Sequence, residues 1–140
     1  MRLAIDAMGG DRAPMAIIDG VLQAAQLFPY ELILVGDEGI IKSELAKHNK
    51  ISRADREKIS IYHASQAIGM AESPGRACRQ KKDSSIMVAT RLVADGLADA
   101  VISAGNSGAA MTAALMQLNR LPSVLRPAIA QIMPTIEGST

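Results

Sequence analysis

Residues 99–118 read DAVISAGNSGAAMTAALMQL, and this stretch decides the fold class. Its first five residues, Asp99–Ser103, are apolar between polar ends, which predicts a short β-strand. A turn of small residues then leads directly into Ser107–Leu118, whose apolar residues cover nearly every side of a predicted helix. A buried strand that passes straight into a helix is the repeating unit of α/β proteins.

The same alternation extends over the rest of the chain. The predicted strands are Arg2–Asp6, Glu31–Val35, Lys58–His63, Asp99–Ser103 and Ala128–Met133. Helical stripes of apolar residues lie between them. The first stripe is Ile17, Ile18, Val21, Leu22 and Ala25, and the second is Ile41 and Leu45 in a helix capped by Asp37. The third is Ile86, Ala89, Val93 and Leu97, in a helix that is capped by Ser84 or Ser85 and ended by Gly96. This order predicts a mostly parallel sheet with helices on both faces, a three-layer α/β fold.

The chain shows no internal repeat and no low-complexity linker, so we expect residues 1–140 to form one α/β portion without an internal boundary. No helix follows the predicted last strand to cover it, and the helix 107–118 is more apolar than five strands readily bury. We therefore expect the amino-terminal portion of a longer protein, with a fold that is incomplete at its carboxyl end.

Composition and charge exclude several classes of protein. Hydrophobic residues make up 49% of the chain, which excludes a disordered protein. Aromatic residues make up 2%, Trp is absent and the net charge is +1, so we expect no nucleic-acid partner. A single cysteine, Cys78, excludes a disulfide framework and a cysteine-based zinc site, and it fits a reducing compartment. The charge-free stretch 100–119 is long enough to span a bilayer, but Asn106 and the glycines beside it indicate a turn.

Two loops are candidate sites, because ligands of open parallel sheets bind beyond the carboxyl ends of the strands. Residues 6–11 (DAMGGD) follow the first predicted strand, and residues 103–108 (SAGNSG) follow the fourth. In the second loop, glycines and free N–H groups at the start of a helix predict an anion site. Neither loop has the pattern of a Walker loop or of G-x-G-x-x-G, and a plain strand-to-helix turn remains the alternative.

Four cations lie close together in the sequence, and they are Arg76, Arg79, Lys81 and Lys82. They predict either a solvated helix face or a grip on phosphate or on an acidic partner. Arg126 precedes Pro127 and enters the predicted fifth strand, from which its guanidinium could point to the same edge of the sheet. His48, His63 and Cys78 are predicted to be structural, because each is isolated from partners at a catalytic spacing.

Seven segments, taken in chain order, resemble the bacterial acyl-carrier-protein:phosphate acyltransferases. They are Asp6–Asp11 with Ala13-Pro14, Leu34–Asp37, Arg76–Arg79, Lys81–Ser85, Ala98–Ala109, Arg126–Ala128 and Pro134-Thr135. The chain departs from the family pattern at a few positions, where Arg12 replaces a frequent His, Ser107 a common Thr and Ser123 the usual Gly. The family is also more than twice as long as this chain.

The resemblance implies transfer of a fatty acyl group from acyl carrier protein to inorganic phosphate, giving acyl phosphate for the synthesis of phosphatidic acid and phospholipids. It implies a fold similar to that of the isocitrate and isopropylmalate dehydrogenases, and no metal or organic cofactor. It also implies a cytoplasmic homodimer that associates peripherally with the inner face of the membrane, beside the downstream glycerol-phosphate acyltransferase. Activity of residues 1–140 alone is not expected, because the second half of the family helps to form the cleft.

The residues suit that chemistry, since phosphate is itself the nucleophile and a departing thiol needs no strong general acid. By the resemblance, the catalytic residues are Asn106 and Ser107 as donors and Lys82 as a charge partner. The substrate-binding residues are Gly9, Gly10, Asp11, Arg79, Ser85, Gly105, Gly108 and Arg126. Asp6 and Asp11 are expected to orient backbone and cations, because a carboxylate repels phosphate.

Two other functions remain open. One is a phosphate acetyltransferase-like enzyme that uses acyl-coenzyme A, which activity with coenzyme A rather than carrier protein would indicate. The other is an inactive fragment that binds phosphate, which binding without turnover would indicate.

Overall fold

The computed structural model describes residues 1–48, 51–125, 127–130, 134–135 and 138–139. Four strands form its main sheet, and they are β1 (Arg2–Asp6), β2 (Glu31–Gly36), β3 (Ile59–His63) and β4 (Ala100–Ile102). Their order across the sheet is β3-β2-β1-β4, and all neighbouring strands are parallel. Leu3 of the central β1 lies opposite Leu32 on one side and Ala100 on the other. The carboxyl ends of β1 and β4 therefore meet at one edge of the sheet.

Helices cover both faces of this sheet. They are α1 (Met15–Leu27), α2 (Glu38–Leu45), α3 (Arg53–Arg56), α4 (Pro74–Gln80), α5 (Ser85–Ala94) and α6 (Ser107–Gln117). Side chains of α1 and α2 pack with Ile5, Leu32 and Leu34 on one face, and side chains of α5 pack with Ala4 and Val35 on the other. A third cluster joins α4, α5 and α6. Because neighbouring strand residues point to opposite faces, β1 contributes to both cores, and the predicted α/β architecture is confirmed.

Local signals in the sequence account for the ends of several helices. The Asp37 carboxylate accepts a hydrogen bond from the Ile40 N–H at 2.9 Å and so begins α2, as predicted. Gly96 follows α5 with φ +71°, in the left-handed region that glycine adopts without strain. The predicted apolar stripe of α1 is buried at four positions, which are Ile18, Val21, Leu22 and Ala25.

Two expectations are wrong. Leu97 does not continue the buried face of α5, because the helix ends at Ala94 and the chain turns at Gly96, which leaves Leu97 51% exposed. No strand forms over residues 128–130, whose side chains are exposed and unpaired, and residues 131–133 of that predicted strand lie outside the described residues. Further along, β5 (Pro134–Thr135) and β6 (Gly138–Ser139) form a short antiparallel pair.

The segment after α6 contains a residue in an unusual backbone conformation. Ser123 has φ +69°, the left-handed region that favours glycine. Glycine, which the sequence resemblance leads us to expect at this position, adopts this conformation without strain. Within the described residues, no helix has both the length and the apolar character required to cross a bilayer.

Candidate functional site

The loops that follow β1 and β4 touch each other at the carboxyl edge of the sheet. A Cβ atom on Gly105 would lie 3.0 Å from the Cα atom of Gly9, so both positions need glycine for the backbones to approach. Gly10 has φ +108° and faces the carbonyl oxygen of Ala104. Three glycines that the sequence assigned to a site are therefore brought together here. Asp11, assigned with them, is exposed at the end of the first loop.

A buried carboxylate joins the two loops from beneath. Asp6 is 3% exposed, and its Oδ2 atom accepts a hydrogen bond from the Ser103 hydroxyl at 2.7 Å. Its Oδ1 atom accepts from the Met8 N–H at 3.2 Å. The Ser103 oxygen in turn accepts from the Gly105 N–H at 3.1 Å. Asp6 thus orients backbone of the first loop directly and of the second loop through Ser103.

The first turn of α6 presents backbone N–H donors at the start of the helix. The Oδ1 atom of Asn106 caps the helix by accepting from the Ala109 N–H at 3.0 Å. Among the described residues, the N–H groups of Ser107 and Gly108 meet no acceptor. These N–H groups lie at the positive end of the helix dipole. The turn can therefore supply two backbone donors to an anion.

The side-chain amide of Asn106 is directed away from this turn. Its Nδ2 atom donates to the carbonyl oxygens of Gly69, Met70 and Glu72 at 3.4, 3.2 and 3.0 Å. Asn106 therefore fastens the loop 69–72 to the start of α6. Donation from this amide to a substrate stays a prediction, and it requires that the amide exchange these bonds. Ser107, in contrast, is exposed.

The cations of the basic segment divide into two kinds. Lys81 is engaged, since its Nζ atom contacts the Glu72 carboxylate at 2.6 Å and the Ala67 carbonyl oxygen at 2.9 Å. The hydrogen bond from Lys81, with one from the Gly69 N–H, holds the pKa of Glu72 below its ordinary value. Lys82 and the two arginines of α4 are exposed, and within the described residues they form no ion pair. These exposed cations are free to meet an anionic substrate or partner.

The three remaining substrate residues of the sequence assignment lie in different surroundings. Ser85 is 1% exposed at the start of α5, and its N–H donates to the Gln66 carbonyl oxygen at 2.9 Å. Arg126 lies outside the described residues. Gly108 contacts α4, because a Cβ atom there would lie 2.6 Å from Cγ of Pro74. That close packing sets the start of α4 against the start of α6.

An apolar cavity of about 630 Å³ opens beside the same turn. Ser103, Gly105 and Ser107 line its polar end. The rest of its wall is mostly apolar and comes from α6 and the segment after it, including Met111, Leu115, Leu118, Leu121, Val124 and Ile129. A ligand with an anionic group at the turn and an apolar chain along α6 matches this division of the wall.

The histidines and the cysteine have structural surroundings. Cys78 is fully buried between α4 and α6, and burial raises the pKa of its thiol, which disfavours the nucleophilic thiolate. The Nδ1 atom of His63 accepts from the Glu38 N–H at 3.3 Å, at the start of α2. His48 lies 3.4 Å from an Asp19 carboxylate oxygen. Among the described residues, no three His, Cys, Asp or Glu side chains come together as a metal site would require.

Sequence reasoning did not assign a role to Ser103, although its loop was a candidate site. The hydrogen bond from Ser103 to Asp6 joins residues 97 positions apart, and no spacing rule predicts such a contact. The bonds from Asn106 to the loop 69–72 are likewise between distant residues. The parallel topology predicted only that the two loops share an edge of the sheet.

Comparison with known proteins relates the whole chain to one group of proteins. A family model described as "Fatty acid synthesis protein" matches residues 1–140. A protein named phosphate acyltransferase from Geobacter sulfurreducens is 51% identical over 140 residues, which are 100% of this chain and 39% of that protein. Proteins of the same name from Heliobacterium modesticaldum and Endomicrobium trichonymphae are 48% and 49% identical over 138 residues, 99% of this chain and 40% and 41% of theirs. The chain thus spans about two fifths of the length of these curated relatives.

Proposed function

This chain belongs to the fatty acid synthesis protein family, and on that premise we propose that it carries the phosphate-binding part of an acyltransferase. The proposed reaction moves a fatty acyl group from acyl carrier protein to inorganic phosphate. Its product is an acyl phosphate for the synthesis of phosphatidic acid. The relatives named phosphate acyltransferase support this class of reaction.

One observation supports the proposal most directly. The turn of residues 103–108, called here the anion-binding turn, shares several residues with the apolar cavity. Ser103, Gly105 and Ser107 belong to the turn and also line the polar end of the cavity of about 630 Å³. A reaction between an apolar acyl group and an inorganic anion requires both sites side by side, with the reacting atoms in contact. A cavity of this size also favours a long acyl chain over an acetyl group.

In the proposed mechanism, a phosphate oxygen attacks the thioester carbonyl carbon. A C–O bond forms, the C–S bond breaks, and the leaving sulfur takes a proton from the phosphate and departs as the thiol of the carrier. The N–H groups of Ser107 and Gly108 hold phosphate, and the exposed hydroxyl of Ser107 donates to phosphate or to the developing oxyanion. Lys82 and Arg79 neutralise charge, and Arg126 is proposed to do so from the segment after α6.

The partners follow from the same proposal. The exposed cations Arg76, Arg79 and Lys82 offer a basic surface to acyl carrier protein, whose surface is acidic in general. The complete enzyme is proposed to be a cytoplasmic homodimer without a metal or organic cofactor. It is also proposed to associate peripherally with the inner face of the membrane, where the glycerol-phosphate acyltransferase consumes its product.

The test is an assay of acyl phosphate formation by the full-length protein, with mass spectrometry of the product. We expect turnover with acyl carrier protein thioesters that depends on inorganic phosphate. Turnover with acyl-coenzyme A alone would instead indicate an acetyltransferase-like enzyme. Phosphate binding without turnover on either thioester would indicate a binding protein and contradict the proposal.

A further inference from the structure

We infer that Asp6 and Ser103 are a positioning pair that sets the anion-binding turn for phosphate. The inference rests on the proposed function and adds two residues to it. Neither residue is expected to touch phosphate as a catalytic group. Each acts through the backbone of residues 103–108, which carries the donors.

The evidence is a continuous chain of hydrogen bonds from Asp6 through Ser103 to Gly105. The Ser103 hydroxyl has one proton, which it donates to the Asp6 Oδ2 atom at 2.7 Å. Its oxygen therefore has a lone pair free to accept the Gly105 N–H at 3.1 Å. The Asp6 Oδ1 atom accepts from the Met8 N–H, so both carboxylate oxygens are used as acceptors. The two oxygens of one side chain thus accept from a group in each loop, the Met8 N–H and the Ser103 hydroxyl.

This chain of bonds decides which N–H groups face an anion. The Gly105 N–H is turned inward to Ser103, and the Ala109 N–H is taken by the Asn106 cap. The N–H groups of Ser107 and Gly108 remain for a ligand. Loss of the Ser103 hydroxyl releases Gly105 and removes the link between the turn and the rigid end of β1.

The surrounding backbone keeps the Asp6 carboxylate out of contact with an anion at the turn. A Cβ atom on Gly9 would collide with the Asp6 Oδ2 atom, and one on Gly105 would lie 3.4 Å from it. The two glycines thus let the loops close tightly over the carboxylate. Because the carboxylate is 3% exposed, it orients the turn without presenting itself to phosphate.

The test measures phosphate binding and steady-state kinetics of the full-length protein with three variants. Ser103→Ala removes the donor and the acceptor. Asp6→Asn keeps the shape but replaces one acceptor with a donor, so it loses either the Ser103 bond or the Met8 bond. Ser103→Thr keeps the hydroxyl, and the methyl group has space because Ser103 lines the cavity.

We expect Ser103→Ala and Asp6→Asn to weaken phosphate affinity roughly tenfold or more, because a displaced turn would lose one backbone hydrogen bond to the charged phosphate. The KM for the acyl thioester should change less than about twofold, since the apolar wall is untouched. Ser103→Thr should restore phosphate affinity to near the wild-type value. This split between the two substrates is not what a general loss of stability would produce.

Ser52 provides a matched control at the opposite edge of the sheet. Its hydroxyl donates to the Asp55 Oδ2 atom at 2.7 Å and accepts from the Asp55 N–H at 3.1 Å, the same pair of distances as at Ser103. Ser52→Ala removes the cap of α3, so it should lower stability and leave phosphate affinity unchanged.

The outcomes separate this inference from the proposed function. Wild-type phosphate affinity in folded Ser103→Ala and Asp6→Asn proteins would overturn the positioning role while leaving the acyltransferase intact. If Ser103→Ala does not fold, Asp6→Asn decides the question by the same criterion. A full-length protein that neither binds phosphate nor forms acyl phosphate would overturn the proposed function, and the inference with it.

Discussion

Replacing Ser107 by proline should remove one phosphate donor and leave the helix intact. Ser107 is the first residue of α6, where proline is favoured because its missing N–H has no acceptor within the helix. Asn106, before it, has φ −61° and ψ 108°, an extended conformation that proline accepts in its predecessor. Ser107→Ala is the paired variant, since it loses the hydroxyl and keeps the N–H.

The expected magnitude follows from the single N–H that differs between the two variants. A hydrogen bond to a charged group contributes about 1.5–3 kcal/mol, and each 1.4 kcal/mol is about tenfold in affinity. Phosphate should therefore bind the Ser107→Pro protein roughly tenfold to a hundredfold more weakly than the Ser107→Ala protein. Gly108→Val would be a poorer probe, because a side chain at that position collides with Pro74.

The assay is isothermal titration of the full-length proteins with inorganic phosphate, together with thermal melting in its absence. Arg53→Pro is the control for placing a proline at a helix start, and it should leave phosphate affinity unchanged. Arg53 is the first residue of α3, follows a cap at Ser52 and lies far from the turn. Its ion pair with Glu57 is highly exposed and contributes little to stability. Equal phosphate affinities of folded Ser107→Pro and Ser107→Ala proteins would refute the assignment of phosphate to this helix start.

Four further outcomes are expected of the full-length protein. Cys78→Ala should keep turnover within about tenfold, whereas a lost general acid or base would cost about a hundredfold or more. Ser84→Ala should leave the melting temperature unchanged or raise it, because the Ser84 hydroxyl is fully buried with no partner among the described residues; a marked decrease would reveal a partner. Ser123→Gly should raise the melting temperature, since it relieves a left-handed conformation that costs a non-glycine residue about 1 kcal/mol; a lower melting temperature would contradict this. Lys81→Met should destabilise the protein at neutral pH and less in acid, because Lys81 lowers the pKa of Glu72 in the folded state. The ion pair therefore stabilises the fold above the ordinary carboxyl pKa of about 4.3, and this stabilisation is lost as the pH falls through the lowered pKa of Glu72. Melting from pH 7 to pH 3 tests this, and a constant difference between variant and wild type would argue against it.

Local signals predicted the secondary structure well because they act between near neighbours. The cap at Asp37 bonds to Ile40, three residues on, and Gly96 supplies a positive φ where α5 ends. Such bonds depend on residue type and spacing, which the sequence displays. The prediction that Leu97 lies on the buried face of α5 was wrong, because the apolar period continues in the sequence beyond the glycine that turns the chain.

The sequence predicted where in the fold the candidate site lies, but not the contacts of its side chains. Parallel topology brings the ends of β1 and β4 together, so both loops could be assigned to one edge before any distance was known. The direction of each side chain could not, because it depends on partners far along the chain. Asn106 illustrates this, since a residue type suited to binding an oxyanion instead holds the carbonyl oxygens of a loop 34 to 37 positions away.

Asp6 shows how charge and geometry together limit a mechanism. Repulsion between a carboxylate and phosphate argues from the sequence alone that Asp6 does not bind the nucleophile. The structure supplies the missing link, the Ser103 hydroxyl, which donates to the Asp6 carboxylate at 2.7 Å and whose oxygen accepts from the Gly105 N–H. A buried carboxyl side chain can thus stabilise the shape of a turn proposed to bind an anion while a hydroxyl and backbone lie between the two. The interposed hydroxyl is therefore the group whose removal should separate phosphate affinity from the overall stability of the fold.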